Sequence, residues 1–144
     1  MKVGVIGGSS VNERTYDLAY RVGKLIGERG WTLVNGGLSG VMEASARGAR
    51  EAGGTVIGIL PGPDERGKNP FVTHAIVTNM GHARNVIIAH TSDALIAVGG
   101  EYGTLSEIAI ALKLGKKVVS LESWDIRGVI RASTPEEAVE AVAR

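Results

Sequence analysis

The chain has 144 residues, of which 44% are hydrophobic and 22% are charged, and this composition is typical of one folded domain, here residues 1–144. Its 16 basic and 15 acidic residues leave a net charge of +1, which argues against nucleic acid as a partner. With no cysteine, disulfides, thiolate metal ligands and cysteine nucleophiles are excluded. Since we find neither a signal peptide nor an apolar run of about 20 residues, we expect a cytoplasmic protein with no membrane partner.

Short apolar runs alternate with longer helical patterns along the whole chain. We predict strands at residues 2–6, 31–35, 55–60, 75–78, 94–98, 117–121 and 128–131. We predict helices at residues 13–29, 40–52, 82–91, 104–114 and 135–143. Some strands are apolar at every position, as in residues 94–98, which indicates a sheet covered on both faces. The alternation therefore predicts an α/β fold: a single-domain, doubly wound, mainly parallel sheet of about seven strands flanked by helices, which is Rossmann-like.

Signals for the ends of helices support these boundaries. Capping boxes are predicted at Ser10-x-x-Glu13, Thr104-x-x-Glu107 and Thr134-x-x-Glu137. Gly30, Gly53 and Gly115 follow predicted helix ends, where a left-handed residue is common. The long irregular stretch at residues 61–70 is interpreted as a surface loop beside the functional site.

Three glycine-rich turns each join the end of a strand to the start of a helix. They are the first turn (Gly7-Gly8-Ser9-Ser10), the second turn (Gly36-Gly37-Leu38-Ser39-Gly40) and the third turn (Gly99-Gly100-Glu101-Tyr102-Gly103-Thr104). In open α/β sheets ligands bind at this edge, where glycine exposes the backbone and free N–H groups attract anions. Any one turn can be glycine-rich for tight geometry alone. The three together predict a site for a phosphorylated small molecule, with a nucleotide as the leading candidate.

Several common nucleotide, metal and cofactor sites are disfavoured. The first turn does not fit G-x-G-x-x-G, and the second strand ends in Asn35 rather than an acidic residue, so ordinary NAD binding is not expected. No P-loop motif occurs. The spacing of His74, His82 and His90 does not suit a metal site. No lysine lies at the end of an apolar strand, which argues against a pyridoxal enzyme such as a lysine decarboxylase. No cofactor is therefore required by the sequence.

Residues 99–107 resemble the P-G-G-x-G-T-x-x-E region of the LOG-like superfamily, whose members are often labelled lysine decarboxylase-like. Residues 35–42 resemble its second glycine turn, and residues 54–61 resemble its third strand. The segment 82–85 lies where the family has H-E-R-K. The resemblance extends from Val3 to about Leu121 and implies a Rossmann-like fold.

The superfamily has two branches that matter here. In the phosphoribohydrolases, which cleave the N-glycosidic bond of nucleoside 5′-monophosphates to base and ribose 5-phosphate, the resemblance implies that Arg84 and Glu107 are catalytic. The other branch contains the molybdenum-cofactor carriers and bacterial proteins related to the DNA-processing protein DprA, and it binds a phosphorylated pterin or nucleotide. Residues 98–107 resemble this second branch more closely. We therefore expect a binding or carrier protein, with the hydrolase as the alternative.

Two departures from the hydrolase motif favour the carrier branch. Gly99 replaces its proline, and Glu101 replaces its second glycine. A carboxylate in a turn that holds phosphate would repel the ligand unless it points away or binds a cation. The resemblance also implies a homodimer or homotetramer, for which the apolar residues 86–89 and 108–114 offer faces.

The sequence and the resemblance together give a set of expected site residues. The ligand-binding set is Gly8, Ser9, Gly36, Gly37, Gly40, Met42, Gly99, Gly100, Glu101, Gly103 and Thr104. The structural alternatives are a capping role for Glu107 and Thr104, and a surface ion pair for Arg84. Ser10 is expected to cap the first helix, which leaves Ser9 as the ligand contact.

Overall fold

The computed structural model describes residues 1–144 and contains seven strands, five α-helices and one 3-10 helix. The strands are β1 (Lys2–Gly7), β2 (Thr32–Asn35), β3 (Val56–Leu60), β4 (His74–Val77), β5 (Ala94–Val98), β6 (Lys117–Leu121) and β7 (Ile130–Ala132). The helices are α1 (Glu13–Glu28), α2 (Val41–Glu51), α3 (Arg84–Thr91), α4 (Tyr102–Lys113) and α5 (Pro135–Ala143), with the 3-10 helix (Gly81–Ala83) before α3. None of the helices combines the length and the apolar character needed to cross a membrane.

All seven strands form one parallel sheet in the order β4-β3-β2-β1-β5-β6-β7. The predicted α/β Rossmann-like fold is therefore confirmed, and the sheet is wholly rather than mainly parallel. The strand order reverses between the neighbours β1 and β5, whose last residues Gly7 and Val98 pair with each other. Because chains leave these two strands in opposite directions, a crevice opens between them at the carboxyl edge.

Helices cover both faces of the sheet, so the strands are buried on two sides. In β5, Ile96 and Val98 pack with α1, α2 and α5, whereas Leu95 and Ala97 pack with α3 and α4. The alternation follows from the two-residue period of a strand, and it explains why this strand is apolar throughout. The crevice therefore lies on a rigid, doubly packed base.

One of the three predicted capping boxes is confirmed, and two are wrong. The Thr134 hydroxyl accepts a hydrogen bond from the backbone N–H of Glu137 at 3.1 Å, as predicted for α5. Helix α1 is capped by Asn12 rather than Ser10, since the Asn12 side chain accepts from the Thr15 N–H at 2.9 Å. Thr104 is not a cap, because α4 begins at Tyr102.

The glycines predicted to end helices and the predicted surface loop lie as expected. Gly30, Gly53 and Gly115 have φ angles of +72°, +79° and +76°, which is the left-handed region that ends helices. The irregular segment after β3 contacts the second glycine turn, since the Asn69 N–H donates to the Gly37 carbonyl at 2.9 Å. The Asn69 side chain also donates from Nδ2 to the Leu38 carbonyl at 2.9 Å.

Candidate functional site

A cleft of about 340 Å³ opens at the carboxyl edge of the sheet, above β1 and β5. All three glycine turns contribute to it, together with the start of α3. It is lined by Val5, Ile6, Gly7, Gly8, Ser9, Ser10, Gly36, Leu38, Met42, His82, Arg84, Asn85, Glu101, Gly103, Thr104 and Glu107. The sheet topology thus brings segments that are distant in sequence into one concave surface.

Nine of the expected site residues line this cleft, and four do not. Those that line it are Gly8, Ser9, Gly36, Met42, Arg84, Glu101, Gly103, Thr104 and Glu107. Those that lie outside its lining are Gly37, Gly40, Gly99 and Gly100. These four glycines shape the turns.

Gly40 and Gly100 show how the turns are shaped. Gly40 has a φ of +66°, and a Cβ there would overlap the carbonyl oxygen of Gly8, so the second turn packs directly on the first. Gly100 has a φ of +101°, and a Cβ there would overlap the side chain of Thr104. Both positions therefore require glycine for backbone reasons. The N–H of Gly37 is already bonded to the Asn35 side chain at 2.8 Å.

Helix α4 begins in the cleft with its first N–H groups free. Its N-cap residue is Glu101, and no side chain caps it. The backbone N–H groups of Tyr102, Gly103 and Thr104 have no acceptor within the protein. By contrast, Asn12 caps α1 and Thr134 caps α5. The open end of α4 presents several donors and the positive end of the helix dipole to the cleft.

Arg84 is a buried cation without an anionic partner in direct contact. The residue is 7% exposed, its Nε donates to the Ile59 carbonyl at 2.9 Å, and its Nη1 donates to the Asn85 side chain. No hydrogen bond within the protein occupies Nη2. Burial lowers the pKa of Arg84, and the carboxyl group of Glu107 opposes that shift. The expectation of a surface ion pair is wrong, because the protein places this guanidinium in the wall of the cleft.

The space for Arg84 is made by Gly36 in the second turn. A Cβ at Gly36 would lie 2.6 Å from Nη2 of Arg84 and 2.7 Å from the sulfur of Met42. Any side chain at this position would displace one of these two neighbours. Gly36 therefore contributes to the site by leaving the guanidinium room in the cleft wall.

Glu107 is a buried carboxyl group on the second turn of α4. It is 7% exposed and forms neither an ion pair nor a hydrogen bond to another side chain or to the backbone. Burial raises its pKa to about 8, although the Arg84 guanidinium acts in the opposite direction. The capping interpretation of Glu107 is wrong, since α4 starts at Tyr102 and no side chain caps it. At neutral pH most Glu107 side chains are therefore protonated, which leaves the positive charge of Arg84 largely uncompensated.

Glu101 lies at the N-cap position of α4 and is exposed. Its backbone carbonyl accepts a hydrogen bond from the indole Nε1 of Trp124 at 3.1 Å. The two acidic residues of the cleft thus have different environments, since Glu107 is buried near Arg84 and Glu101 is in contact with water. Solvent screens the negative charge of Glu101, so its repulsion of an anion in the cleft is weak.

Sequence reasoning did not select four polar or loop residues that line the cleft, namely Ser10, Leu38, His82 and Asn85. The segment 82–85 contained the signal for two of them, because the 3-10 helix leads directly into α3 and keeps His82 and Asn85 beside Arg84. Leu38 and Ser10 lie within two of the glycine turns. No group of three or more His, Asp or Glu side chains that could hold a metal ion is found.

Comparison with known proteins identifies the family. The model of the SLOG cluster4 family matches residues 1–143. The chain belongs to the SLOG cluster4 family. The resemblance to the LOG-like superfamily that residues 35–42 and 99–107 predict is therefore confirmed.

Relatives of this SLOG protein include an uncharacterized protein and a phosphoribohydrolase. It is 59% identical over 140 residues to an uncharacterized protein of Archaeoglobus fulgidus, covering 96% of this chain and 92% of the relative. It is 34% identical over 125 residues to the cytokinin riboside 5′-monophosphate phosphoribohydrolase of Mycobacterium tuberculosis, covering 81% of this chain and 67% of that enzyme. The match therefore leaves part of that enzyme's length uncovered.

Among solved structures, the molybdenum cofactor binding protein from Rippkaea orientalis superposes with a TM-score of 0.94 at 39% identity, covering 99% of this chain and 94% of that one. DNA processing protein A from Streptococcus pneumoniae superposes with a TM-score of 0.77 at 17% identity, covering 96% of this chain and 60% of that one. The likeness to DNA processing protein A concerns the fold alone. The likeness to the molybdenum cofactor binding protein agrees with the resemblance of residues 98–107 to the carrier branch.

Proposed function

We propose that this SLOG protein binds a phosphorylated small molecule, either a nucleotide or a molybdopterin-type cofactor, in the cleft and acts as a binding or carrier protein. The observation that carries the proposal is the meeting of the unpaired Nη2 of Arg84 with the uncapped N-terminus of α4 in one cleft. A phosphate would accept hydrogen bonds from the guanidinium and from the N–H groups of Gly103 and Thr104.

The size and charge of the cleft agree with such a ligand. A volume of about 340 Å³ falls at the lower end of the range of small-molecule sites, about 300–1,000 Å³. Protonation of Glu107 leaves Arg84 and the α4 dipole as the main buried charges. The likeness to the Rippkaea orientalis molybdenum cofactor binding protein supports the carrier assignment.

Isothermal titration calorimetry with AMP, GMP and ribose 5-phosphate tests the proposal. We expect Arg84→Met to weaken the binding of all three by about 10- to 100-fold, because a charge-assisted hydrogen bond is lost. Arg50→Met is the matched control, since Arg50 is exposed at the far end of α2 and forms no ion pair. Absence of binding to every phosphorylated probe, or equal affinities of the two variants, would overturn the proposal.

The alternative function is hydrolysis of a nucleoside 5′-monophosphate. Arg84 and Glu107 line the same cleft, and Glu107 holds a proton near neutral pH. A protonated carboxyl group could transfer that proton to the base as the N-glycosidic bond breaks, and the resulting carboxylate could accept the proton that water loses as it adds to C1′, which gives free base and ribose 5-phosphate. Chromatography of AMP after incubation distinguishes the two functions: release of adenine that Glu107→Ala abolishes favours the enzyme, and no release favours the carrier.

We also propose that the chain forms a homodimer or homotetramer through α3 and α4. Of the apolar residues in these helices, Ile88 and Ile108 are fully buried in the chain's own core, whereas Val86 is 41% exposed; Leu114, just after α4, is 38% exposed. Only the exposed members are available for a second copy. Light scattering should give a mass of two or four chains, and Val86→Lys should lower it; a monomeric wild type would refute the assembly.

A further inference from the structure

Two carbonyl groups of the third turn accept hydrogen bonds from the segment that follows β6, Glu122-Ser123-Trp124 (the post-β6 segment). The Ser123 hydroxyl donates to the Gly99 carbonyl at 2.5 Å, and the indole Nε1 of Trp124 donates to the Glu101 carbonyl at 3.1 Å. Both donor side chains are half-buried. Since Gly99 and Glu101 lie between β5 and α4, the chain that leads into α4 is held at two points by side chains from outside the turn.

The post-β6 segment is itself anchored. The Trp124 carbonyl accepts a hydrogen bond from the Ser120 hydroxyl in β6 at 2.8 Å. The Glu122 carboxylate accepts two hydrogen bonds from the Arg14 guanidinium at the start of α1. Glu122 has a φ of +52°, a conformation that a residue other than glycine adopts rarely and keeps only where neighbouring contacts enforce it. The two donor side chains therefore project from a defined backbone.

Fixing a carbonyl group also fixes the N–H group of the same peptide unit. Because the peptide bond is planar and trans, its C=O and N–H bonds point in opposite directions. The Gly99 carbonyl shares its peptide unit with the N–H of Gly100, and the Glu101 carbonyl shares its unit with the N–H of Tyr102. Neither N–H group has an acceptor within the protein. The two hydrogen bonds therefore draw carbonyl oxygens, which repel anions, to one side of the turn and leave free donors on the other.

The helix that this turn leads into carries unpartnered buried side chains in the cleft. Thr104 is 3% exposed and lines the cleft, and its hydroxyl forms no hydrogen bond within the protein. Glu107, one turn further along α4, also lines the cleft and is also without a partner. The free N–H groups of α4 thus belong to a cleft that contains several unsatisfied polar groups, and their placement depends on the turn before them.

We propose that Ser123 and Trp124 are positioning residues for the phosphorylated ligand: they hold the third turn in the conformation that presents the N–H groups of α4 to the cleft. This inference rests on the proposed function. Neither residue lines the cleft, so neither is expected to contact the ligand. Their role differs from that of Arg84, whose guanidinium would bind the phosphate directly.

Calorimetry with ribose 5-phosphate tests the proposal, at a temperature well below the thermal midpoint of every variant. Ser123→Ala and Trp124→Phe each remove one donor, and each should weaken binding about three- to tenfold, which corresponds to one neutral hydrogen bond. Ser123→Thr keeps the hydroxyl and should keep the wild-type affinity. The matched controls are Ser133→Ala and Trp31→Phe, because neither residue lines the cleft. Equal weakening by Ser123→Ala and Ser123→Thr would refute the role of the hydroxyl.

A second readout separates positioning from stability. In ¹H–¹⁵N spectra, ribose 5-phosphate should shift the N–H signals of Gly103 and Thr104 in the wild type, and the shifts should be smaller in Ser123→Ala and Trp124→Phe. If the wild type binds and both variants show lower thermal midpoints but unchanged affinity, the positioning role is refuted while the proposed function stands. If no phosphorylated probe binds to the wild type, the proposed function fails and this inference fails with it.

Discussion

The substitution Glu107→Gln should make the protein more stable at alkaline pH. The pKa of Glu107 is about 8 in the folded protein, against 4.5 for a glutamate in water, the value that applies to the unfolded chain. Because the folded pKa is the higher one, the folded state holds a proton that the unfolded state has lost. The stability that this proton contributes is fully present below pH 4.5 and is lost as the pH rises to about 8.

The size of the effect follows from the pKa difference. One pKa unit corresponds to about 1.4 kcal/mol, so the difference between a pKa of 4.5 in the unfolded chain and about 8 in the folded protein corresponds to about 5 kcal/mol of unfolding free energy. About 4 kcal/mol of that loss falls between pH 5 and pH 9. Glutamine cannot ionise and fills nearly the same volume, so the variant should lack this component. Since small domains are stable by only about 5–15 kcal/mol, the difference is readily measured.

Urea unfolding at pH 5, 7 and 9 measures the free energy of unfolding for the wild type and the variant. Glu28→Gln is the matched control, because Glu28 is exposed on α1 and forms no ion pair. Between pH 5 and pH 9, the free energy of unfolding of the wild type and of the control should fall by about 4 kcal/mol more than that of Glu107→Gln. Parallel pH profiles for all three proteins would show that Arg84 keeps Glu107 ionised, and the argument from burial would be wrong.

Three further substitutions test separate parts of the structure. Glu101→Gln should tighten ribose 5-phosphate binding about two- to fivefold at low ionic strength, and the gain should vanish at high salt in calorimetry, because a solvated negative charge at the start of α4 is removed. Thr134→Ala should lower the free energy of unfolding in urea by about 1 kcal/mol, because the α5 cap is lost, whereas Thr134→Ser should retain it. Gly40→Ala should lower the thermal midpoint by several degrees in calorimetry, because its Cβ would meet the Gly8 carbonyl; a midpoint equal to the wild type would contradict the packing of the two turns.

The elements of the fold were predictable from the sequence because each is encoded locally. Residues 94–98 were predicted as a strand with both faces covered, and the observed β5 has the same bounds. Helix α5 also has its predicted bounds, since Thr134 caps it and Pro135 begins it. Periodicity and capping chemistry act over a few residues, so one sequence suffices to read them.

Helix starts at the cleft were not predictable in the same way. The motif Thr104-x-x-Glu107 resembles a capping box, yet α4 starts two residues before Thr104. The cause lies in Gly99 and Gly100, whose φ angles of +58° and +101° turn the chain sharply after β5 and allow the helix to begin early. The sequence of this turn did not show that both glycines adopt positive φ, so the start of α4 was predicted two residues too late.

The location of the site was predictable from the sequence, but the role of each residue in it was not. Glycine turns at one sheet edge indicated the cleft, but nothing local separates Gly36, which leaves room for Arg84, from Gly40, which lets two turns pack together. The buried side chain of Asn69, which holds the second turn through the Leu38 carbonyl, is likewise set by contacts distant in sequence. Such roles depend on the tertiary arrangement.

The cleft keeps two buried ionisable groups near each other without a direct ion pair, and this arrangement is costly to the folded protein. Burial lowers the pKa of Arg84 and raises that of Glu107, so the charged form of each group is disfavoured. Direct contact would offset part of this cost, because each buried charge would then have a partner, but no ion pair joins the two residues. An incoming phosphate would supply the missing anion to Arg84 and, by its negative charge, would hold the proton on Glu107 more firmly. Under the proposed function, the same two residues would destabilise the empty protein and favour the occupied one, which is the pattern expected of groups retained for binding rather than for folding.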